Sequence, residues 1–301
     1  MTTEVRNFPG CKLFVAVIPV VLLAACGDND AQPQNADETK PAAAEEAHAG
    51  VREVAHGEVH WGYEDDNGPA VWASMKPEWA LCGEGRHQSP VDLNNPVESE
   101  LPAIAVHTLS QQAVEVLNQN EVLEELDNGH TVQVNALLPD ALQIDGKSYS
   151  LKQFHFHSPS EHTVDGEHFP MEIHFVNEAA DGSLAVLGVL VSEGAENPAI
   201  ASLWASLPQA HGESTRTELP VSFAENLLTG VGNGFFHYSG SLTTPPCTED
   251  VKWMIKRSPT ELSAAQIQAF RAIYDHNNRP TNPLHDRELF VDSSPSIRWY
   301  D

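Results

Sequence analysis

From Gln153 to His157 the chain reads Gln-Phe-His-Phe-His, a strict polar–aromatic alternation. A period of two belongs to a β-strand, whose successive side chains point to opposite faces. Gln153, His155 and His157 therefore share one face, while Phe154 and Phe156 enter an apolar layer on the other. The segment Met171–Asn177 has the same character: Glu172, His174 and Val176 lie on one side, Ile173 and Phe175 on the other. If the two strands pair, with the turn-rich stretch 158–170 returning the chain, three imidazoles converge. Three nitrogen ligands with an open fourth position describe a catalytic zinc site rather than a structural one. Gln153 and Glu172 each precede a histidine by two residues on the same face, where they can bind its second ring nitrogen and fix the tautomer. One strand histidine is ordinarily a solvated or satisfied residue. A triplet with polar neighbours at matching offsets outweighs that reading.

A second metal-binding class shares part of the string. His155-x-His157-xxx-Glu161 fits the first box of a cupin, but Tyr149 stands where that box wants glycine. Before His174 the chain has Met-Glu-Ile instead of Pro-x-Gly, and Asn177 follows at three residues rather than four. Ser239 and Ser241 suggest no hydrolase, because a Gly-x-Ser-x-Gly elbow is missing. The rest of the body reads as mainly β. Apolar or alternating segments at 112–117, 130–135, 142–144, 149–157, 171–177, 184–191, 235–238 and 251–256 sit among turn residues. Helices are few and marginal. Asn197-Pro198 caps one over Ala199–Leu207. Ser263 with Gln266 forms a capping box for another, with Ile267, Phe270 and Tyr274 on one face. No second linker follows residue 56, so a single domain over 56–301 is expected.

The first 55 residues have a different character. Arg6 and Lys12 precede an apolar run, Leu13 to Ala25, which is too short for a span of ~20 residues and reads as a secretory signal. It ends Leu23-Ala24-Ala25-Cys26, which resembles a bacterial lipobox, so 1–25 is read as the signal and Cys26 as the lipidated mature N-terminus. Residues 26–55 are rich in Ala, Pro, Gln, Asn and acids, and read as a flexible tether. The implied location is exported, periplasmic or at the cell surface, anchored through Cys26. With Cys11 in the signal and Cys26 lipidated, Cys82 and Cys247 remain as a pair that an oxidising compartment would join. The alternative is two separate buried thiols. Forty-three acids against 16 bases give a net charge of −27. That excludes nucleic acid as a partner and disfavours acidic polymers, but leaves a small neutral substrate open.

Several segments taken together are similar to the alpha-class carbonic anhydrases: His60-Trp-Gly-Tyr63, Arg86-His-Gln-Ser-Pro90, Gln153–His157, Ser160-Glu-His-Thr163, Glu172-Ile-His174, Leu184–Gly188, Tyr238–Pro246, and Asn278-Arg-Pro280 with Pro283-Leu284. The resemblance implies a central, mostly antiparallel ten-stranded twisted sheet with a few short peripheral helices. It implies reversible hydration of carbon dioxide to bicarbonate, with one Zn2+ per chain on His155, His157 and His174. Thr243 and Glu161 would form the hydrogen-bonded pair that orients the nucleophile, and His130 would be the proton shuttle. Val176, Val186, Leu242, Val251 and Trp253 match the apolar wall of the substrate pocket, with Thr244 beside the product. Tyr63, Asn128 and Gln133 match positions that order solvent. Cys82 and Cys247 match a pair bridged in bacterial members. Weak esterase activity would be a by-product, and a homodimer is an open option. The readings set against this are a non-catalytic binding protein on the same scaffold and a cupin-type metal enzyme.

Overall fold

The computed structural model of the chain describes residues 59–107, 113–118, 130–208, 214–219, 223–228, 234–292 and 297–300. The signal, Cys26, the tether and Asn128 lie outside the described residues. The strands in chain order are Val97–Ser99 (β1), Ile104–His107 (β2), Ala113–Asn118 (β3), Val132–Ile144 (β4), Lys147–His157 (β5), Thr163–Val164 (β6), Glu167–His168 (β7), Met171–Ala179 (β8), Leu184–Glu193 (β9), Ser214–Glu218 (β10), Phe235–Ser241 (β11), Glu249–Leu262 (β12), Phe290–Asp292 (β13) and Ile297–Tyr300 (β14). The helices are short: Trp72–Met75 (α1), Leu81–Glu84 (α2), Pro198–Trp204 (α3), Phe223–Leu228 (α4) and Ala264–Arg271 (α5).

One mixed sheet organises the molecule. Its main path is β1-β13-β11-β12-β9-β8-β5-β4-β2-β14, and β3 on β4 with β10 on β3 brings it to 12 strands. Among the described strands, β1/β13, β9/β12 and β2/β14 pair in parallel; β6 and β7 form a separate small hairpin. The ten strands of the path correspond to the ten expected, and β3 and β10 are additions at its side.

The centre of the sheet is where sequence patterning was strongest. β5 and β8 run antiparallel with His155 opposite His174, Phe154 opposite Phe175 and Phe156 opposite Ile173. Directly opposed residues have Cβ atoms about 5 Å apart on one face, so this register alone gathers the imidazoles. On the other face Phe154, Phe156, Ile173 and Phe175 are buried in the main core with Phe223, Leu203 and Phe270 from α4, α3 and α5. Each such side chain contributes about 1.5–3 kcal/mol by leaving water. That layer fixes the register, because a one-residue slip would drive imidazoles into it.

Both expected helices form, slightly shorter than their patterns. Asn197 caps α3 by accepting from the Ala199 and Ile200 amides. The helix ends at Trp204 rather than Leu207, since Ser206 and Leu207 bond three residues back and Pro208 follows. The capping box of α5 is complete, with Ser263 Oγ accepting from the Gln266 amide and Gln266 Oε1 from the Ser263 amide. Tyr274 lies beyond the end of α5 but remains buried against the same core.

Candidate metal centre

β5 and β8 carry the three imidazoles, and each has one ring nitrogen already occupied. His155 Nδ1 donates to Gln153 Oε1 at 2.8 Å. His157 Nδ1 donates to the Asn277 carbonyl at 2.6 Å. His174 uses the opposite nitrogen: its Nε2 donates to Glu172 Oε1 at 2.8 Å. A neutral imidazole with one N–H committed presents a lone pair on the other nitrogen. The atoms left to face a common point are thus His155 Nε2, His157 Nε2 and His174 Nδ1. The triplet can bring ligand atoms within 4.8 Å of one another, and all three residues are buried.

The chemistry of this donor set fits a metal ion. His157 Nε2 is buried and has no hydrogen-bond partner, a costly state that a cation would relieve. Burial, first of all, lowers the proton affinity of all three rings: His155 well below the ordinary value, with its two neighbours adding to the effect, His157 to about 4, and His174 downward too. The rings are therefore neutral at pH 7, the form that ligates. A second group, His162, Glu172 and His174, also lies within ligand distance. There the carboxylate sits 2.7 and 2.8 Å from the ring nitrogens, so hydrogen bonds already join its members.

Glu172 anchors the far side of the site. Its Oε2 accepts from the Glu161 and His162 amides at 2.9 and 2.8 Å, and its Oε1 from His162 Nδ1 and His174 Nε2. Those partners hold its carboxyl well below the usual range despite burial. Opposite His174 in β9 stands Gly188. A Cβ there would come within 2.5 Å of Ile255 Cδ1 and 3.4 Å of Glu172 Oε1, so any larger residue would require the Ile255 side chain to shift.

Glu161 lies among the ligands. Its Oε1 accepts from the Arg279 amide at 2.8 Å, and its Oε2 is 3.5 Å from His157 Nε2 and 3.8 Å from His174 Nδ1. Burial pushes this carboxyl up to about 7, against the pull of His174, the Arg279 amide and the Thr243 hydroxyl. Thr243 is close enough to favour the charged form, although Glu161 Oε2 makes no full hydrogen bond.

The remaining residues singled out in the sequence surround this core. Val176, Val186, Val251 and Trp253 are buried in one apolar cluster, with Leu242 packed on it. The Trp253 ring lies 4.8 Å from that of His174. A small cavity of about 10 Å³ is lined by Tyr63, His130, His155, His157 and Thr244 with Trp61 and Thr131. Gln133 is opposite His155 across β4/β5 and donates to Asn135 Oδ1 at 2.8 Å. A larger groove of about 650 Å³ opens elsewhere, beside His237, Lys252 and Arg287, and none of the three imidazoles lines it. Cys82 and Cys247 form a disulfide.

Four participants escaped the sequence reading as site residues. His162 bonds Glu172 through Nδ1 and Tyr238 Oη through Nε2, and Tyr238 Oη meets Ser89 Oγ at 2.8 Å. Asn277 holds the His157 ring and also donates to the His130 and Phe156 carbonyls. Arg279, buried, donates to Gln88 Oε1, Ser89 O and Cys82 O. His162 and Arg279 stood inside family-like motifs, but only the folded chain brings them to Glu172 and Glu161. Asn277 holds the His157 ring through its backbone carbonyl, which no residue type signals.

A large curled sheet carrying three convergent, neutral, partly unsatisfied imidazoles beside a buried carboxylate presents a donor set that could hold a metal ion, as the metal-site enzymes do. The comparisons narrow this. The chain belongs to the alpha carbonic anhydrase family: the model of the eukaryotic-type carbonic anhydrase matches residues 67–293. A carbonic anhydrase from a Nostoc species is 40% identical over 229 residues, covering 76% of this chain and 84% of that one. One from Pectobacterium carotovorum is 37% identical over 230 residues, covering 76% and 89%. Among solved structures, the alpha-carbonic anhydrase of Thermovibrio ammonificans, in complex with the inhibitor sulfanilamide, matches with a TM-score of 0.69 and 37% identity. That match covers 78% of this chain and all of the other.

Proposed function

We propose that the chain carries out the reversible hydration of carbon dioxide with one zinc ion held by His155 Nε2, His157 Nε2 and His174 Nδ1. The observation that carries this is the buried, partnerless His157 Nε2 facing two further lone pairs. When bound, zinc supplies a nucleophile from water near neutral pH, a property for which this enzyme family is the standard example. Gln153, Asn277 and Glu172 hold the ligand rings in the required tautomers. Thr243 and Glu161 orient the attacking oxygen, with the Arg279 amide fixing the carboxylate. The cluster of Val176, Val186, Leu242, Val251 and Trp253 excludes water and receives the apolar substrate, and Thr244 lies beside the product. His130 takes up the proton released in each cycle, through solvent ordered near Tyr63 and Gln133.

Metal analysis together with stopped-flow carbon dioxide hydration tests the proposal. One zinc per chain and activity blocked by sulfanilamide are expected. Zinc-replete protein that leaves carbon dioxide untouched would support a binding role on the same scaffold. A site that takes iron or manganese in preference would also overturn it. For the N-terminal region we propose export and lipidation at Cys26, which mass analysis of the mature N-terminus tests.

A further inference from the structure

The three ligand rings are not held alike. Gln153 and Glu172 ride on the same strands as His155 and His174, two residues away, so alternation alone puts them in place. The acceptor for His157 Nδ1 is the carbonyl of Asn277, in the loop after α5 and 120 residues further along the chain. No strand geometry aims that carbonyl. It swings with the ψ angle of its residue unless the other groups of the residue are tied down.

Asn277 is tied down at every polar atom. The residue is only 1% exposed. Its amide donates to Ser158 O at 3.2 Å, and its Oδ1 accepts from the Ser158 amide at 2.8 Å. Its Nδ2 donates to Phe156 O at 2.9 Å and to His130 O at 3.0 Å. The partners fix which side-chain atom is oxygen and which is nitrogen, since a backbone amide only donates and a carbonyl only accepts. These contacts fall where the β4/β5 ladder stops. Its described register ends with Gln133 opposite His155, and Phe156, Ser158 and His130 lie beyond that pair. Buried backbone groups at such an end still need partners. A carboxamide offers what a peptide group offers, an acceptor and a donor in one plane, and it meets them here. We propose that the Asn277 side chain is a positioning residue for the metal site: its carboxamide stands in for a peptide group at the end of β4/β5, and so aims the Asn277 carbonyl at His157 Nδ1. The inference rests on the reading of His155, His157 and His174 as zinc ligands. An ionised Asp at 277 has no donor and would set a carboxylate oxygen against two carbonyls. An Ala keeps the backbone carbonyl but none of the side-chain contacts.

The test uses the full chain with Asn277→Asp and Asn277→Ala. Ile200→Ala, at a buried core position of α3, serves as a variant that loses stability outside the site. Both Asn277 variants retain the carbonyl itself, so their effect is one of aim. In competition with a chelator they should hold zinc about 10–100-fold more weakly, while Ile200→Ala should bind zinc as wild type does. By NMR of the zinc-loaded, 15N-histidine-labelled protein, the His157 Nδ1–H resonance should move and exchange faster with water. Those of His155 Nδ1–H and His174 Nε2–H should stay in place, which a general loosening of the fold would not allow. Wild-type zinc affinity in both Asn277 variants, an unmoved His157 resonance or equal displacement of all three resonances would each overturn the proposal. Should Asn277→Asp fail to fold, Asn277→Ala and Asn277→Ser, which bring no charge, decide by the same two readings. A wild-type chain that takes up no zinc overturns the metal reading instead, and the His157 Nδ1–H resonance of the metal-free variants then decides whether the carboxamide sets the ring.

Discussion

Replacing Lys256 with Met should stabilise the protein at neutral pH, and the gain should vanish in alkali. Lys256 lies on β12 with only 1% of its surface exposed. Its ammonium makes one described hydrogen bond, to Thr260 Oγ1 at 3.0 Å, and Thr260 in turn donates to the Leu227 carbonyl. Among the described residues no carboxylate lies within ion-pair distance of it. Burial alone lowers its proton affinity from 10.5 to about 8. At 1.36 kcal/mol per pH unit, that gap corresponds to about 3 kcal/mol of penalty for the charged form. The sign follows from proton binding. Below pH 8 both native and unfolded chains hold the proton and the penalty is complete. Between pH 8 and 10.5 the unfolded chain holds a proton that the native state has released, so wild-type unfolding free energy climbs with pH. Met fills a similar volume and removes the penalty, while the lost hydrogen bond costs about 1 kcal/mol. The net gain at pH 7 is about 2 kcal/mol, or roughly 4–8 °C in Tm for a domain of this size. Urea unfolding of metal-saturated, oxidised protein at pH 7 and pH 10.5 measures it. A variant no more stable than wild type at pH 7, or a difference that persists unchanged at pH 10.5, would refute the reasoning.

Three further outcomes follow from the geometry. Glu172→Gln puts an amide where four donors converge, and should weaken metal affinity by about 10–100-fold; competition with a chelator reads this, and unchanged affinity would count against the role of Glu172. Reducing the Cys82–Cys247 bridge opens a loop closed over a separation of 165 residues. On chain-entropy grounds that should cost up to about 5 kcal/mol, and equal melting temperatures with and without reductant would contradict it. Arg279→Met leaves Gln88 Oε1 and the Ser89 and Cys82 carbonyls without their buried donor. A loss of about 1–3 kcal/mol per acceptor left unpaired is expected, and an unaltered urea midpoint would show that the guanidinium is not needed.

The central strands and both capped helices were legible because their signals are local. Gln153–His157 and Met171–Asn177 repeat every two residues, and Asn197-Pro198 and Ser263 with Gln266 satisfy amides within one turn. The strands β1, β2, β10, β13 and β14 and the short helix α4 were not legible. They are three to six residues long, too short for periodicity to show, and what makes them strands or helix is the neighbour they pair with or pack on.

The same division runs through the site. Chain order alone placed His155 and His157 on one face of β5, since alternation along a strand is a property of the covalent backbone, whereas His174 joins them only through the β5/β8 register. Chain order also placed Gln153 and Glu172 beside their histidines. Which ring nitrogen each histidine turns to the common point was decided only in three dimensions, because it depends on the acceptor opposite: a side-chain amide for His155, a backbone carbonyl for His157 and a carboxylate on the other nitrogen for His174. Asn277 and Arg279 reach the site from more than 100 residues away in sequence. Partners at that distance meet only when the sheet closes the chain upon itself, and no local pattern records the meeting.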